Sequence, residues 1–300
     1  MAIMLEQDAN PAQGAFNSAQ DAVSFSDDVA IGSDGKVHFP RVIVGGLPTA
    51  VLDRKATARL TVAAALSRRG KRRPCAFFTT TNGQVVSLCA SQPDVKRLFE
   101  RADLISADGM SVVFASRLGP GPHLPERVAT TDAFHDVARL AGRARLSFYF
   151  LGASEDVNRA AVERVQQIYP GVKIAGRHHG YFAPAEEPEI IERINAAGPD
   201  VLWVGLGVPH QQRFILNNLA RLTNVGVAKS CGGLFDFLAG KNKRAPRWMQ
   251  VGGLEWAYRI WMEPNRLLVR YLTTNPHAAY WLLRSRGLAS EGVVDADTPA

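Results

Sequence analysis

Cysteine is scarce: Cys75, Cys89 and Cys231 are the only three in 300 residues, and no two form a CxxC pair. An odd, scattered set excludes a disulfide frame and a cysteine zinc site, and fits buried thiols in a reducing compartment. Long apolar runs are missing too. Mean hydropathy is −0.07, and no stretch reaches the roughly 18 apolar residues that a membrane-spanning helix needs. The first residues lack a basic segment followed by an apolar one, so no signal peptide is expected. Asp-x-Asp occurs once, at Asp295 and Asp297 in a polar stretch near the end. A metal–diphosphate site needs carboxylates held by a framework. Chemistry without a metal or other cofactor is therefore expected, with arginines neutralising phosphate.

Acids are outnumbered: 28 Asp and Glu face 35 Lys and Arg, a formal net charge of +7. That balance favours an anionic partner: a phosphorylated substrate, an acidic membrane surface or nucleic acid. The charge is unevenly spread. Residues 1–38 hold six acids and one base, whereas residues 241–286 hold nine bases and only two acids, Glu255 and Glu263. Composition is otherwise globular, with 46% hydrophobic and 21% charged residues.

Residues 1–40 read as a mobile acidic arm. Order begins with the strand at Arg41. Residues 54–69 have helical spacing, 75–82 form a buried strand with a polar end, 91–101 a helix and 103–106 a strand. LSFYFL (146–151) is a strand, and Ser154 is placed to cap a helix over 155–169. Val172–Ala175 is a strand, about 186–197 a helix, VLWVG (201–205) a strand and 211–222 a helix. This alternation predicts an α/β fold: a Rossmann-like parallel sheet core flanked by helices, over 41–245. Residues 246–286 change character, with four tryptophans interleaved with arginines, and read as a helical, membrane-associating appendage. Residues 287–300 read as a polar tail. A chain ended before Pro246 is expected to leave a folded core.

Ligands of open parallel sheets bind beyond the carboxyl ends of the strands. Three polar loops fall there: Thr80–Asn82, Asp108-Gly109, and the Gly205–Gln212 turn. Asp108 is the best candidate for a general base, a single carboxylate able to take a proton from a sugar hydroxyl; its alternative is an ordinary Asp-Gly turn. Gly152 and Ser154 present free amides at a helix start, and Gly205 and Gly207 repeat the theme, as a phosphate or ribose site. Neither matches a full dinucleotide fingerprint. The adjacent His178 and His179 make a poor metal pair. Tryptophan with arginine at the C-terminal end suits a membrane interface as well as it suits a core-packed helix pair.

TTTN (79–82), SADGMSVV (106–113), LPERV (124–128), YPGVKIAG (169–176), HGYF (179–182), VGLGVPHQQ (204–212), GGLFDFLAGKNKRAPRWMQ (232–250) and GLEWAYRIWMEPNRLLVRYLTTNP (253–276) resemble the WecG/TagA/CpsF glycosyltransferases, from about Arg41 to Leu283. The resemblance implies inverting, metal-independent transfer of a sugar from a nucleoside diphosphate, with UDP favoured, to a polyprenyl-diphosphate-linked acceptor in bacterial surface polysaccharide synthesis. It implies Asp108 as base, with Thr80 and Asn82 lining the site. Arg127 faces the same pocket, and Gln211 belongs to the family's P-K-Q-E loop. Arg259, Arg266 and Arg270 belong to a C-terminal appendage that closes over the site and meets the membrane and the diphosphate. They are spaced by seven and four, so one helical face is expected to carry all three. The loop here reads Pro209-His210-Gln211-Gln212, and the loss of Lys and Glu puts the donor sugar in doubt. A catalytically inactive nucleotide-sugar-binding regulatory module of the same fold is the alternative, with Gln212 its main support. Expected partners are the nucleotide sugar, the lipid-linked acceptor and an anionic surface on the inner face of the cytoplasmic membrane. A homo-oligomer stays open; nucleic acid is not expected, since no reading helix or aromatic sheet motif is present.

Overall fold

The computed structural model describes residues 30–31, 36–72, 74–262 and 264–295. The chain enters through β1 (Ala30–Ile31), β2 (Lys36–Val44) and β3 (Leu47–Ala50). Gly45 and Gly46 link the last two, at φ 59° and 78°. A two-residue hairpin turn with both positions at positive φ suits glycine, and here it brings β3 back antiparallel along β2. Helix α1 (Arg54–Arg68) starts at Asp53, whose side chain accepts from Ala56 N at 2.6 Å. Next come β4 (Ala76–Thr81), α2 (Gly83–Ser91), α3 (Pro93–Glu100), β5 (Leu104–Ala107), α4 (Met110–Ser116) and α5 (Thr130–Arg143). Then follow β6 (Ser147–Gly152), α6 (Glu155–Ile168), β7 (Lys173–His178), α7 (Glu187–Ala197), β8 (Val201–Gly205), α8 (His210–Asn218), β9 (Val227–Ser230) and α9 (Leu234–Leu238). The chain finishes with α10 (Arg247–Val251), α11 (Glu255–Met262), α12 (Pro264–Arg284) and β10 (Arg286–Asp295).

Six strands form one parallel sheet in the order β5-β4-β9-β8-β6-β7. Every residue of β6 is buried, as expected of a strand covered on both faces. One face packs Phe78, Phe134, Phe148, Phe150 and Trp203 into a core, with the Phe134 and Trp203 rings 4.9 Å apart and edge-on. The other packs Phe77, Leu151, Leu202, Val204 and Ile215. The expected α/β architecture holds. Helices α2, α4 and α5 and the central strand β9 add to the elements read from sequence.

Three boundaries differ from expectation. Strand β2 begins at Lys36, not Arg41: Val37 and Phe39 bury in the core under one face of the strand, and Val42 and Val44, of opposite parity, bury in a second cluster on the other. The expected polar tail is instead largely strand: β10 lies antiparallel on β2, with Ser290 opposite Arg41 and Gly292 opposite Phe39. The arm's residues 1–29 and 32–35, and the tail's 296–300, lie outside the described residues. Finally, the Trp256 ring of α11 and the Tyr271 ring of α12 lie 6.2 Å apart, closer than positions fifteen apart on one straight helix can come, so Arg259 does not share a continuous helix with Arg266 and Arg270.

Helix α12 docks on α2 through a small polar chain. Trp281 Nε1 donates to His277 Nε2 at 2.9 Å, so His277 presents a lone pair there. A neutral imidazole then carries its proton on Nδ1, which lies 2.9 Å from Ser87 Oγ. Leu282 buries with Val42, Val44 and Val86, tying α12 to the small sheet. No helix of the described residues is long and apolar enough to cross a membrane.

Candidate active site

The cleft lies at the carboxyl edge of the parallel sheet, where β4, β5, β8 and β9 deliver their loops. Its volume is about 800 Å³, and Thr80, Asn82, Asp108, Arg127, Gln211 and Arg259 all line it. The sequence scatters these six over about 180 positions, and the sheet gathers them. Its other wall is apolar: Phe114, Leu118, Trp256, Tyr271, Leu282 and Leu283.

Asp108 follows β5 directly. Its Oδ2 accepts from Thr130 N at 3.1 Å and Thr130 Oγ1 at 2.8 Å, at the start of α5. Its Oδ1 faces Arg127, with Nε and Nη2 both at 3.3 Å. Arg127 also meets Glu255 of α11 at 2.6 Å. Burial alone would lower the Arg127 pKa, but the Asp108 and Glu255 carboxylates outweigh it and hold it above the usual guanidinium value. Its positive charge is therefore secure.

Asn82 caps α2, its Oδ1 accepting from Val85 N at 3.1 Å. The cap fixes the side chain at the cleft edge. Gln211 is buried, and its Oε1 accepts from Gly232 N at 3.0 Å, joining α8 to the loop after β9. Gly232 sits at φ 55°, in the left-handed region that favours glycine.

Other expected site residues stand elsewhere. Gly152 and Gly205 pair across β6 and β8, outside the cleft lining. A Cβ on Gly152 would lie 2.3 Å from Gly205 O, so close backbone approach accounts for the glycine. Ser154 holds the N-cap position of α6 without a side-chain cap bond, is exposed, and does not reach the cleft. Gly207 does line it, with open space where a Cβ would stand. Gln212 is fully buried, and its Nε2 donates to Thr79 Oγ1 at 3.1 Å, so it is a core residue rather than a cleft one. The Arg266 and Arg270 side chains lie outside the described residues. Among the described residues, no three His, Cys, Asp or Glu side chains gather into a metal-holding group. The His178 and His179 rings lie 4.6 Å apart, tilted at 41° to each other.

Four residues escaped sequence reasoning. Thr130 and Glu255 fix Asp108 and Arg127. Arg244 was visible only as one base in a basic run; it pairs with Asp132 at 2.9 Å and with Glu255 at 3.1 Å. Lys229 sits in the middle of β9, opposite Phe78 and Trp203, 1% exposed and with no hydrogen-bond partner for Nζ among the described residues. Burial pulls its pKa from 10.5 down to about 8, against the attraction of the Asp108 carboxylate. Burial pushes the neighbouring Cys231 thiol up, which keeps it protonated and inert.

A parallel α/β sheet with a polar cleft and a carboxylate–guanidinium pair at its carboxyl edge defines a ligand-binding α/β protein. The family model described as "Glycosyl transferase WecG/TagA/CpsF family" matches residues 42–291, and the chain belongs to that family. It is a glycosyltransferase. A Bacillus subtilis (strain 168) relative, named N-acetylglucosaminyldiphosphoundecaprenol N-acetyl-beta-D-mannosaminyltransferase, is 34% identical over 191 residues, 64% of this chain and 73% of its own length. A Staphylococcus aureus (strain MW2) relative of the same name is 31% identical over 191 residues, 64% of this chain and 74% of its own.

Proposed function

We propose that the protein moves a sugar, with inversion, from a nucleoside diphosphate donor to a polyprenyl-diphosphate-linked acceptor in bacterial surface polysaccharide synthesis. UDP is the favoured nucleotide. The observation that carries the reading is the pairing of Asp108 with Arg127 in a cleft whose far wall is apolar. A carboxylate serves the acceptor hydroxyl, guanidiniums serve a diphosphate, and an apolar wall serves a lipid. The relatives' names, which specify a diphosphoundecaprenol-linked acceptor, support the same acceptor class here.

In this reading the acceptor hydroxyl attacks the anomeric carbon from the side opposite the diphosphate, and Asp108 takes its proton. An ionised carboxylate offers about four lone-pair sites. Thr130 holds Oδ2 with two short bonds, while the Arg127 contacts to Oδ1 are long. Oδ1 is therefore the oxygen that exchanges a protein contact for the acceptor. Arg127 and Arg259 neutralise the departing diphosphate with charge-assisted bonds. The exposed Trp248, Trp261 and Leu272 of the appendage suit the surface of the membrane that carries the acceptor. The cytoplasmic face is proposed, because nucleotide sugars are made there.

The test uses the full chain with labelled UDP-sugars and a short-chain polyprenyl-diphosphate glycan. Transfer from one or more donors is expected, with EDTA leaving the rate largely intact. No transfer from any nucleotide sugar would overturn the reading. A strict Mg²⁺ or Mn²⁺ requirement, restored by add-back, would overturn its metal-independent form.

A further inference from the structure

Glu255 is one of only two acids in the basic stretch 241–286, and it stands between two guanidiniums. Oε2 lies 2.6 Å from Arg127 Nη1, and Oε1 lies 3.1 Å from Arg244 Nε. The three side chains are only 12%, 19% and 22% exposed, so the group is sheltered from bulk water. One guanidinium on each oxygen of a carboxylate is also an arrangement that grips a phosphate group.

Both arginines have partners besides Glu255. Arg127 is held from the core by Asp108. Arg244 is held by Asp132, by Thr131 and by Gln250 Oε1 at 2.7 Å. Glu255 comes from the other side, as the first residue of α11. Arg259, one helical turn later, lines the same cleft.

We propose that Arg127 and Arg244 form an anion seat that Glu255 occupies in the unliganded protein, and that a substrate diphosphate displaces it. The inference rests on reading the cleft as a nucleotide-sugar site and adds a seat and a competitor to it. Displacement makes the seat selective. An open arginine pair accepts any small anion, whereas an occupied one admits a ligand that offers more negative charge than the carboxylate it removes. A diphosphate meets that condition and a singly charged anion does not. Because Glu255 begins α11, its release also frees that helix to adjust over the bound ligand.

The test is calorimetric titration of the full chain with inorganic pyrophosphate. The Glu255→Gln variant should bind at least tenfold more tightly than the wild type, a gain of about 1.4 kcal/mol. The Arg244→Gln variant should bind at least tenfold more weakly. An ion pair that served only to hold α11 would give the opposite sign for Glu255→Gln, and unchanged or weaker binding overturns the proposal. A second measurement needs only the wild type and a control for the signal. Trp256 adjoins Glu255 and lines the cleft, so saturating pyrophosphate should shift tryptophan emission, and Trp256→Phe should abolish the shift. Unshifted wild-type emission at saturation overturns displacement. Sugar transfer by a protein whose Glu255→Gln variant binds no tighter defeats the seat alone. Absence of both transfer and UDP binding defeats the underlying reading as well.

Discussion

Lys229 is buried at a cost that can be measured. The folded protein holds its ammonium at a pKa of about 8, against 10.5 for a solvated lysine. At 1.36 kcal/mol per tenfold, that gap is about 3 kcal/mol. Below pH 8 both the folded and the unfolded chain are protonated, and the folded state bears the whole penalty. Between pH 8 and 10.5 the unfolded chain binds more protons than the folded one, so stability attributable to this group rises with pH. Above 10.5 both are neutral and the penalty is gone. Methionine has similar length, no charge and an adaptable shape. Lys229→Met should therefore be more stable than the wild type by about 3 kcal/mol at pH 7, and the advantage should shrink toward zero near pH 10.5. Urea unfolding of both proteins at pH 7 and pH 10 measures this. Comparing the two at each pH cancels every other titrating group. A variant less stable than wild type at pH 7, or an advantage equal at both pH values, would refute the reasoning.

Asp108→Asn keeps the shape of the side chain and removes its basicity, so turnover of the folded variant should fall by about 10²–10⁴; near-normal turnover would dismiss Asp108 as the base. Gly152→Ala forces a Cβ to within 2.3 Å of Gly205 O at a φ of 139°, and urea denaturation should show a loss of about 3 kcal/mol or more. Asp200 accepts from Arg69 Nε at 2.7 Å, Ser147 N at 2.7 Å and Ser147 Oγ at 2.9 Å. Asp200→Ala should cost about 3 kcal/mol, since it orphans those donors at the foot of β6 and β8; a change below about 1 kcal/mol would show that the network matters little.

Strands β6 and β8 were legible because LSFYFL and VLWVG are apolar from end to end, as a doubly covered strand must be. Strand β9 was not. It has four residues, and Lys229 and Ser230 break the apolar run, so the strand at the centre of the sheet reads as a loop. The ends misled for another reason. Strands β2 and β10 are almost the whole chain apart, and only pairing reveals that a polar-looking tail is a strand. In the site, Asp108, Arg127 and Gln211 could be named because each stands in a recognisable short motif. Thr130, Arg244 and Glu255 could not, because their roles lie in contacts across 22, 112 and 128 positions. Glycine signals were ambiguous: the same residue type that suits a phosphate loop also suits two backbones in contact, and at Gly152 the second reason holds.

The pairing of β10 with β2 alters what it means for α10 to α12 to be an appendage. Residues 246–285 leave the core after α9 and come back to it, so they form a closed span anchored at both shores rather than a trailing arm. A chain cut before Pro246 loses more than the roof of the cleft. It also strips β2 of its β10 partner along eight paired positions and leaves a bare strand edge of the kind that invites association. Insolubility of that shortened chain would thus say nothing about membranes. The same closure governs any lifting of the span. With both anchors in place, its return is an event within one molecule, at a rate indifferent to protein concentration, because the closing distance is set by the chain itself.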